Sequence, residues 1–299
     1  LGIKTGEYMP ISGPAELPQD QRNDDAHSVC FDHHPLTKPL DLLGTTKVYL
    51  RLSSDCTCGV VAARLCDVAP DGASTLISYG ILNLKQRNGR EVLTKITPGE
   101  SLDVVIRLND TGWSLKPNHK LRLALSSQLW PMAWPVAERA TITLDLANCY
   151  LDLPIRTANA SNEIEKPFGP PVAADQLAHE TILPAKATRH VYNNIEKGEI
   201  VYEVKIDGGK TKFKAIDLTY GSNSSQKYTI VEGDPLSACI EYQSGFSFQR
   251  GDWDVKTKSE LIVTCNASDF ILKGRILGFE NDQQVFVRNW DVKIPRLIF

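Results

Sequence analysis

The strict two-residue alternation of apolar and polar side chains constrains the fold of this chain more than any other feature. In "SLDVVIRL", residues 101–108, Leu102, Val104, Ile106 and Leu108 share one side while Ser101, Asp103 and Arg107 share the other. Side chains of an extended strand point alternately to its two faces, whereas a helix repeats every 3.6 residues, so this pattern predicts a strand with one dry and one wet face. "KVYLRLSS" repeats it with Val48, Leu50 and Leu52, "KLRLALSS" with Leu121, Leu123 and Leu125, and "TITLDL" with Ile142, Leu144 and Leu146. Half-buried strands of this kind belong to antiparallel sheets, which tolerate a solvated face.

Turn-forming clusters separate them: "APDGAS" at 69–74, "TPGE" at 97–100 and "KPNHK" at 116–120. No long segment shows helical periodicity. The reading is an all-β chain with little helix: a jelly-roll β-sandwich over residues 30–156, then a second antiparallel β-rich region over 191–299. Between them, over 157–190, the alternation stops and prolines 167, 170, 171 and 184 interrupt the chain, which predicts a linker. In the second region "EIVYEVKIDGGKTKFKAIDL" is read as a hairpin turning at Asp207-Gly208-Gly209. "DWDVKTKSELIVTC", "DFILKGRILGFE" and "QVFVRNWDVKIP" are read as a meander of three strands, with "ENDQ" as one of its turns. The two halves share no motif at a common period.

With 299 residues the prior is two domains, each long enough to bury a core. A net charge of −3 offers no positive field for nucleic acid or an anionic membrane, and neither is expected as a partner. No apolar run reaches the length of a membrane-spanning helix, and "LGIKTGEYMP" lacks the basic and apolar regions of a signal peptide. A start at Leu1 is read as a piece of a longer chain. The seven cysteines lack the spacing of a disulfide framework, so reduced thiols and a cytoplasmic location are expected. Asn109, Asn159, Asn223 and Asn266 open Asn-x-Ser/Thr triplets that matter only in a secretory pathway.

The densest chemistry lies in "DDAHSVCFDHHPL", Asp24 to Leu36. Cys30 with His33 or His34 could form a nucleophile and base, but in extended chain His33 and His34 point to opposite faces, and Pro35 holds His34 extended. Asp20, Asp24 and Asp25 lack calcium-loop spacing, so a solvated or salt-bridged loop is the simpler reading. Gly-x-Ser-x-Gly, His-Glu-x-x-His, Cys-x-x-Cys and a glycine-rich phosphate loop are all absent from the sequence. Cys56 and Cys58 are read as unligated thiols, His119 as a turn residue, and His179 and His190 as unpartnered. No catalytic residue, cofactor or metal is assigned. Trp130 and Trp134 in "WPMAWP" are the candidate domain-interface or ligand-facing residues: exposed rings could stack on a sugar, while buried ones would anchor a loop or a neighbouring domain.

The ordered series "FDHHPLTKPLDLLGTTKVYLRLSSD", "VAARLCDVAPDGASTLISYGILNL", "PGESLDVVIRL" and "KPNHKLRLALSSQLWP" resembles the C-terminal non-catalytic region of the cocaine esterase and X-prolyl dipeptidyl peptidase family of serine hydrolases, over residues 6 to about 156. The segment before it, "GEYMPISGPAELPQDQRNDDAHSVCFD", is similar to the approach from the hydrolase core, which marks 1–29 as an approach segment. "GDPLSA", "RGDWDVKTKSE" and "WDVKIPR" are similar to the β-rich end of longer members. The resemblance implies a galactose-binding-like jelly roll that covers or scaffolds an upstream α/β-hydrolase domain, the partner, which holds a Ser-His-Asp triad and acts on ester or X-prolyl peptide bonds. Its triad positions all precede this segment. The alternative is a carbohydrate- or partner-binding β-sandwich module; a homo-oligomer is left open.

Overall fold

The computed structural model describes residues 2–7, 10, 13, 15–157 and 169–297. The chain divides into two units, one of residues 1–157 with 296–299 and one of residues 158–295.

In the first unit, β1 (Val29–Asp32), β8 (Lys120–Ser126), β4 (Val60–Val68) and β5 (Ser74–Asn83) form an antiparallel sheet in the order β1-β8-β4-β5. A second sheet joins β10 (Tyr150–Asp152), β3 (Lys47–Ser54) and β6 (Leu102–Arg107), with β9 (Ile142–Leu144) also on β3, and β2 (Leu40–Gly44) pairs with β7 (Thr111–Leu115). The alternation explains the packing. Val48, Leu50 and Leu52 of β3 and Leu102, Val104 and Ile106 of β6 are buried in one core with Leu121, Leu123 and Leu125 of β8. Opposite them, Arg51 and Asp103 face water as a bidentate pair at 2.7 and 2.9 Å.

β4 departs from the alternation, since all nine of its residues are buried. Val61, Ala63 and Leu65 join the core, while Arg64 on the other face meets the approach segment, giving Nη1 to Gln21 Oε1 at 2.9 Å and Nη2 to Ser28 Oγ at 3.0 Å. The approach segment therefore forms part of this unit: it carries the short helix α1 (Arg22–Asp25), with Gln21, Asp24 and Asp25 buried. Leu146, expected on the dry face of a strand, lies in a 3₁₀ turn over Leu146–Asn148 and is exposed. The turn is closed by the Asn148 N–H donating to Asp145 O at 3.1 Å.

Among its described residues the second unit holds one eight-stranded antiparallel sheet. Its strands are β11 (His179–Leu183), β12 (Lys186–Asn194), β13 (Glu199–Phe213), β14 (Leu218–Val231), β15 (Asp234–Arg250), β16 (Trp253–Cys265), β17 (Asp269–Glu280) and β18 (Gln283–Pro295). From β13 to β18 each pairs with the next, while β11 and β12 share the other edge of β13. β16, β17 and β18 form the expected meander, turning at Asn281 and Asp282, both at positive φ.

Two expectations are corrected here. Residues 158–168 of the expected linker, with Pro167 and Asn159, lie outside the described residues, but 179–190 contribute β11 and most of β12. Pro184 falls in the break between these strands, where no ladder N–H is required. Asp207-Gly208-Gly209 does not turn the chain. β13 runs straight through it, and the register against β14 shifts between Asp207 and Gly209 as a bulge. Gly209 has φ +70°, its N–H donates to Asp207 Oδ1 at 2.9 Å, and a Cβ there would collide with Leu183 O. The residues suited to a tight turn instead absorb one extra residue within a long ladder.

Candidate functional site

The Asp24–Leu36 stretch is organised around charge pairing. Asp25 at the end of α1 meets Arg64 Nη2 at 3.0 Å and Arg122 Nη1 at 3.1 Å, and accepts from Ser74 Oγ at 2.7 Å. Arg122 continues to Asp32, with Nε and Nη2 donating at 2.6 and 2.8 Å. That donation holds the Asp32 carboxyl below the usual range. Asp24 accepts from the Gly2 N–H at 3.1 Å, and Asp20 pairs with Arg22 at 2.7 Å. Arg64 is fully buried, so a carboxylate beside it is a requirement of the fold. Among the described residues no group of three or more His, Cys, Asp or Glu side chains is arranged to hold a metal ion.

Cys30 is a poor nucleophile. Burial, then the neighbouring Asp25, pushes its thiol up, and Sγ donates to Asp25 O at 3.5 Å. Attack requires the thiolate, which both influences disfavour. His33 and His34 are exposed, and His33 Nδ1 lies 2.7 Å from His34 O. Cys58 and Cys66 are buried, burial pushes Cys66 up to about 12, and all seven cysteines are free thiols. His119 Nδ1 meets Asp67 Oδ1 at 2.7 Å, and Trp113 Nε1 donates to Asp67 Oδ2 at 3.1 Å, which fastens the 116–120 turn to β4. His179 and His190 are exposed on β11 and β12.

Trp130 and Trp134 come together. Their rings meet edge to face, with centroids 5.3 Å apart and planes at 89°. Trp130 is only 3% exposed and is followed by a cis peptide bond to Pro131, while Trp134 is half-buried. A Cβ on Gly2 would meet Trp130 O at 2.5 Å, and Arg296 Nη2 donates to Pro135 O at 2.6 Å. The loop is thus gripped by both the approach segment and residue 296. Trp130 presents no open ring face for stacking on a sugar.

An apolar hollow of about 460 Å³ opens beside the edge strands β1 and β10, lined by Phe31, Leu50, Leu123, Leu144 and Leu151, with Tyr150 stacked on Tyr49 at 4.4 Å. Sequence reasoning missed this hollow and the Arg64 network. The signal for the network was an arginine within the apolar run "VVAARLCDV", which needs a buried carboxylate partner.

The fold and the site define a two-layer β-sandwich whose central charges fix its own approach segment. The family described as the X-Pro dipeptidyl-peptidase C-terminal non-catalytic domain matches residues 3–191, and the chain belongs to that family. It is 30% identical over 120 residues to the cocaine esterase of Rhodococcus sp. (strain MB1 Bresler), a match covering 40% of this chain and 21% of that protein. The chain thus spans about a fifth of that relative. Among solved structures it is similar to an alpha-amino acid ester hydrolase, with TM-score 0.45, 22% identity, and 48% of this chain and 28% of that one covered. An aminopeptidase from a marine sediment Thaumarchaeota archaeon gives TM-score 0.46, 19% identity, and 50% and 30% coverage.

Proposed function

We propose that this chain is the accessory region of an α/β-fold serine hydrolase acting on ester or X-prolyl peptide bonds, and that it scaffolds and covers the catalytic domain of the same protein. The observation that carries this is the match to a non-catalytic C-terminal family over residues 3–191, a span that includes the approach segment clamped by Asp25 and Arg64. In such an enzyme the serine attacks the carbonyl with histidine as general base, and an oxyanion hole stabilises the developing charge. This chain's contribution is positional. An approach segment pinned through a buried ion pair gives the preceding domain a fixed point of attachment, and half-buried Trp134 is the residue we assign to the interface.

We place the division of labour at residues 1–29 for the approach, 30–156 for the jelly roll and the sheet beyond for a separate role. Seven free thiols support a reducing, cytoplasmic setting. Among the described residues no helix is long and apolar enough to cross a membrane.

The test compares this chain with the longer product of its own gene, using p-nitrophenyl esters and X-prolyl p-nitroanilides together with a fluorophosphonate probe. The expected result is no turnover and no labelling for this chain, and both for the longer product. Turnover by this chain alone that thiol alkylation abolishes would overturn the reading in favour of Cys30.

A further inference from the structure

β18 is the outer strand of the second unit's sheet, and among the described residues it pairs only with β17. All thirteen of its residues are exposed. Phe286, Trp290, Val292 and Ile294 share one face, each at least 40% exposed, with Arg288 between the first two and its guanidinium over the Trp290 ring. A long edge with free backbone donors and acceptors and an apolar row is a template for another strand. Proteins blunt such edges with prolines, bulges or charges. In β18 the one register shift lies near Val285 and the one proline is Pro295, so between them only the charges of Arg288, Asp291 and Lys293 guard the edge, and these are of both signs.

We infer that β18 pairs antiparallel with β18 of a second copy of this chain, in the register that sets Val292 opposite Val292 of that copy. A two-fold axis normal to the sheet keeps each face on its own side, so residues of equal parity meet. With Val292 at the axis the new ladder runs from Asn289 to Pro295 of each copy, Asp291 faces Lys293 of the second copy and Lys293 faces its Asp291. On the other face Trp290 meets Ile294 of the second copy. Moving the axis to Asn289, Trp290 or Asp291 sets Asp291 against Val287, Asn289 or another Asp291, so charge complementarity selects the Val292 register. Within its own sheet Asp291 already faces Lys273 and Lys293 faces Ile271. Pairing extends this into a row of alternating sign, Lys273, Asp291, then Lys293 of the second copy. The opposite edge of the sheet is divided between the short β11, whose Glu180 is paired with Lys214, and β12, which carries Lys186, Arg189 and His190 and no acidic residue, so two copies of β12 would repel.

The test is the association of the full 299-residue chain, followed by sedimentation velocity across the micromolar range, with two single variants, Asp291→Lys and Lys293→Asp. The unaltered chain is expected as a dimer. Each variant alone sets like charges opposite one another twice and associates roughly tenfold more weakly or worse. An equimolar mixture of the two variants restores dimers, because each copy then meets charges of opposite sign. Damage to folding by either substitution would not be repaired by mixing. A monomeric unaltered chain, a dimer indifferent to both substitutions, or a mixture that stays as weak as its components overturns the inference.

Discussion

Both units are built from alternating antiparallel strands, yet only one acquires a dry core. In the first unit Val48, Leu50 and Leu52 of β3 are almost wholly buried because a second sheet lies over them. In the second unit Val255, Leu261 and Val263 of β16 follow the same alternation and stay half-buried. Among the described residues of that unit Val204 and Ala238 alone are buried hydrophobics. Alternation tells which face of a strand is apolar. Whether that face becomes a core depends on a second layer, because the hydrophobic gain follows the area removed from water.

The sharpest way to break this comparison is to remove the charge that only the first unit buries. Asp25→Ala leaves Arg64 and Arg122 facing each other without their shared carboxylate, and should cost about 3–5 kcal/mol. Urea unfolding gives the size, and hydrogen exchange should show β4 amides losing protection while those of β15 keep theirs.

A matched pair of truncations sharpens it next. Leu52→Ala should cost about 2–5 kcal/mol because it leaves a cavity between two sheets. Leu261→Ala, at a half-exposed site on a sheet with no second layer among the described residues of its own unit, should cost about 1 kcal/mol or less. Equal losses in denaturant unfolding would mean that the second sheet is covered in solution.

The smallest effect is the pH dependence of the first unit. The carboxyl of Asp32 is held low by Arg122, so its pairing stabilises the fold fully above the unfolded aspartate value of about 3.9 and is lost as pH falls through the lower folded value. Asp32→Asn should therefore flatten the acid limb of the stability curve below about pH 4 while leaving the neutral plateau slightly lower.

Much of this was legible along the chain. The strands over 47–54, 102–107 and 120–126 follow from apolar residues two apart, a local property of extended backbone. The family resemblance rested on ordered segments that the match over 3–191 bears out. Other features were not legible, for physical reasons. Asp207-Gly208-Gly209 has the composition of a tight turn, and only the continuous ladder of β14 alongside makes it a bulge. The strands at 179–190 are short and proline-flanked, and the free edge of β13 is what orders them. The clustered acids and histidines after Asp24 look like a site until Arg64 and Arg122 arrive from distant strands and engage the carboxylates.

By itself, then, the sequence determined that this chain makes antiparallel strands, which of their faces are apolar, and to which family the first two thirds belong. Those depend on residue spacing and on residue identity in order. Only the tertiary structure decided that Arg64 sits in the interior with Asp25, that Trp130 is enclosed while Trp134 is partly open, and that one sheet is covered while the edge of another is bare. Each of these depends on what lies across a gap from a residue, and partners far apart in sequence meet only once the chain has folded.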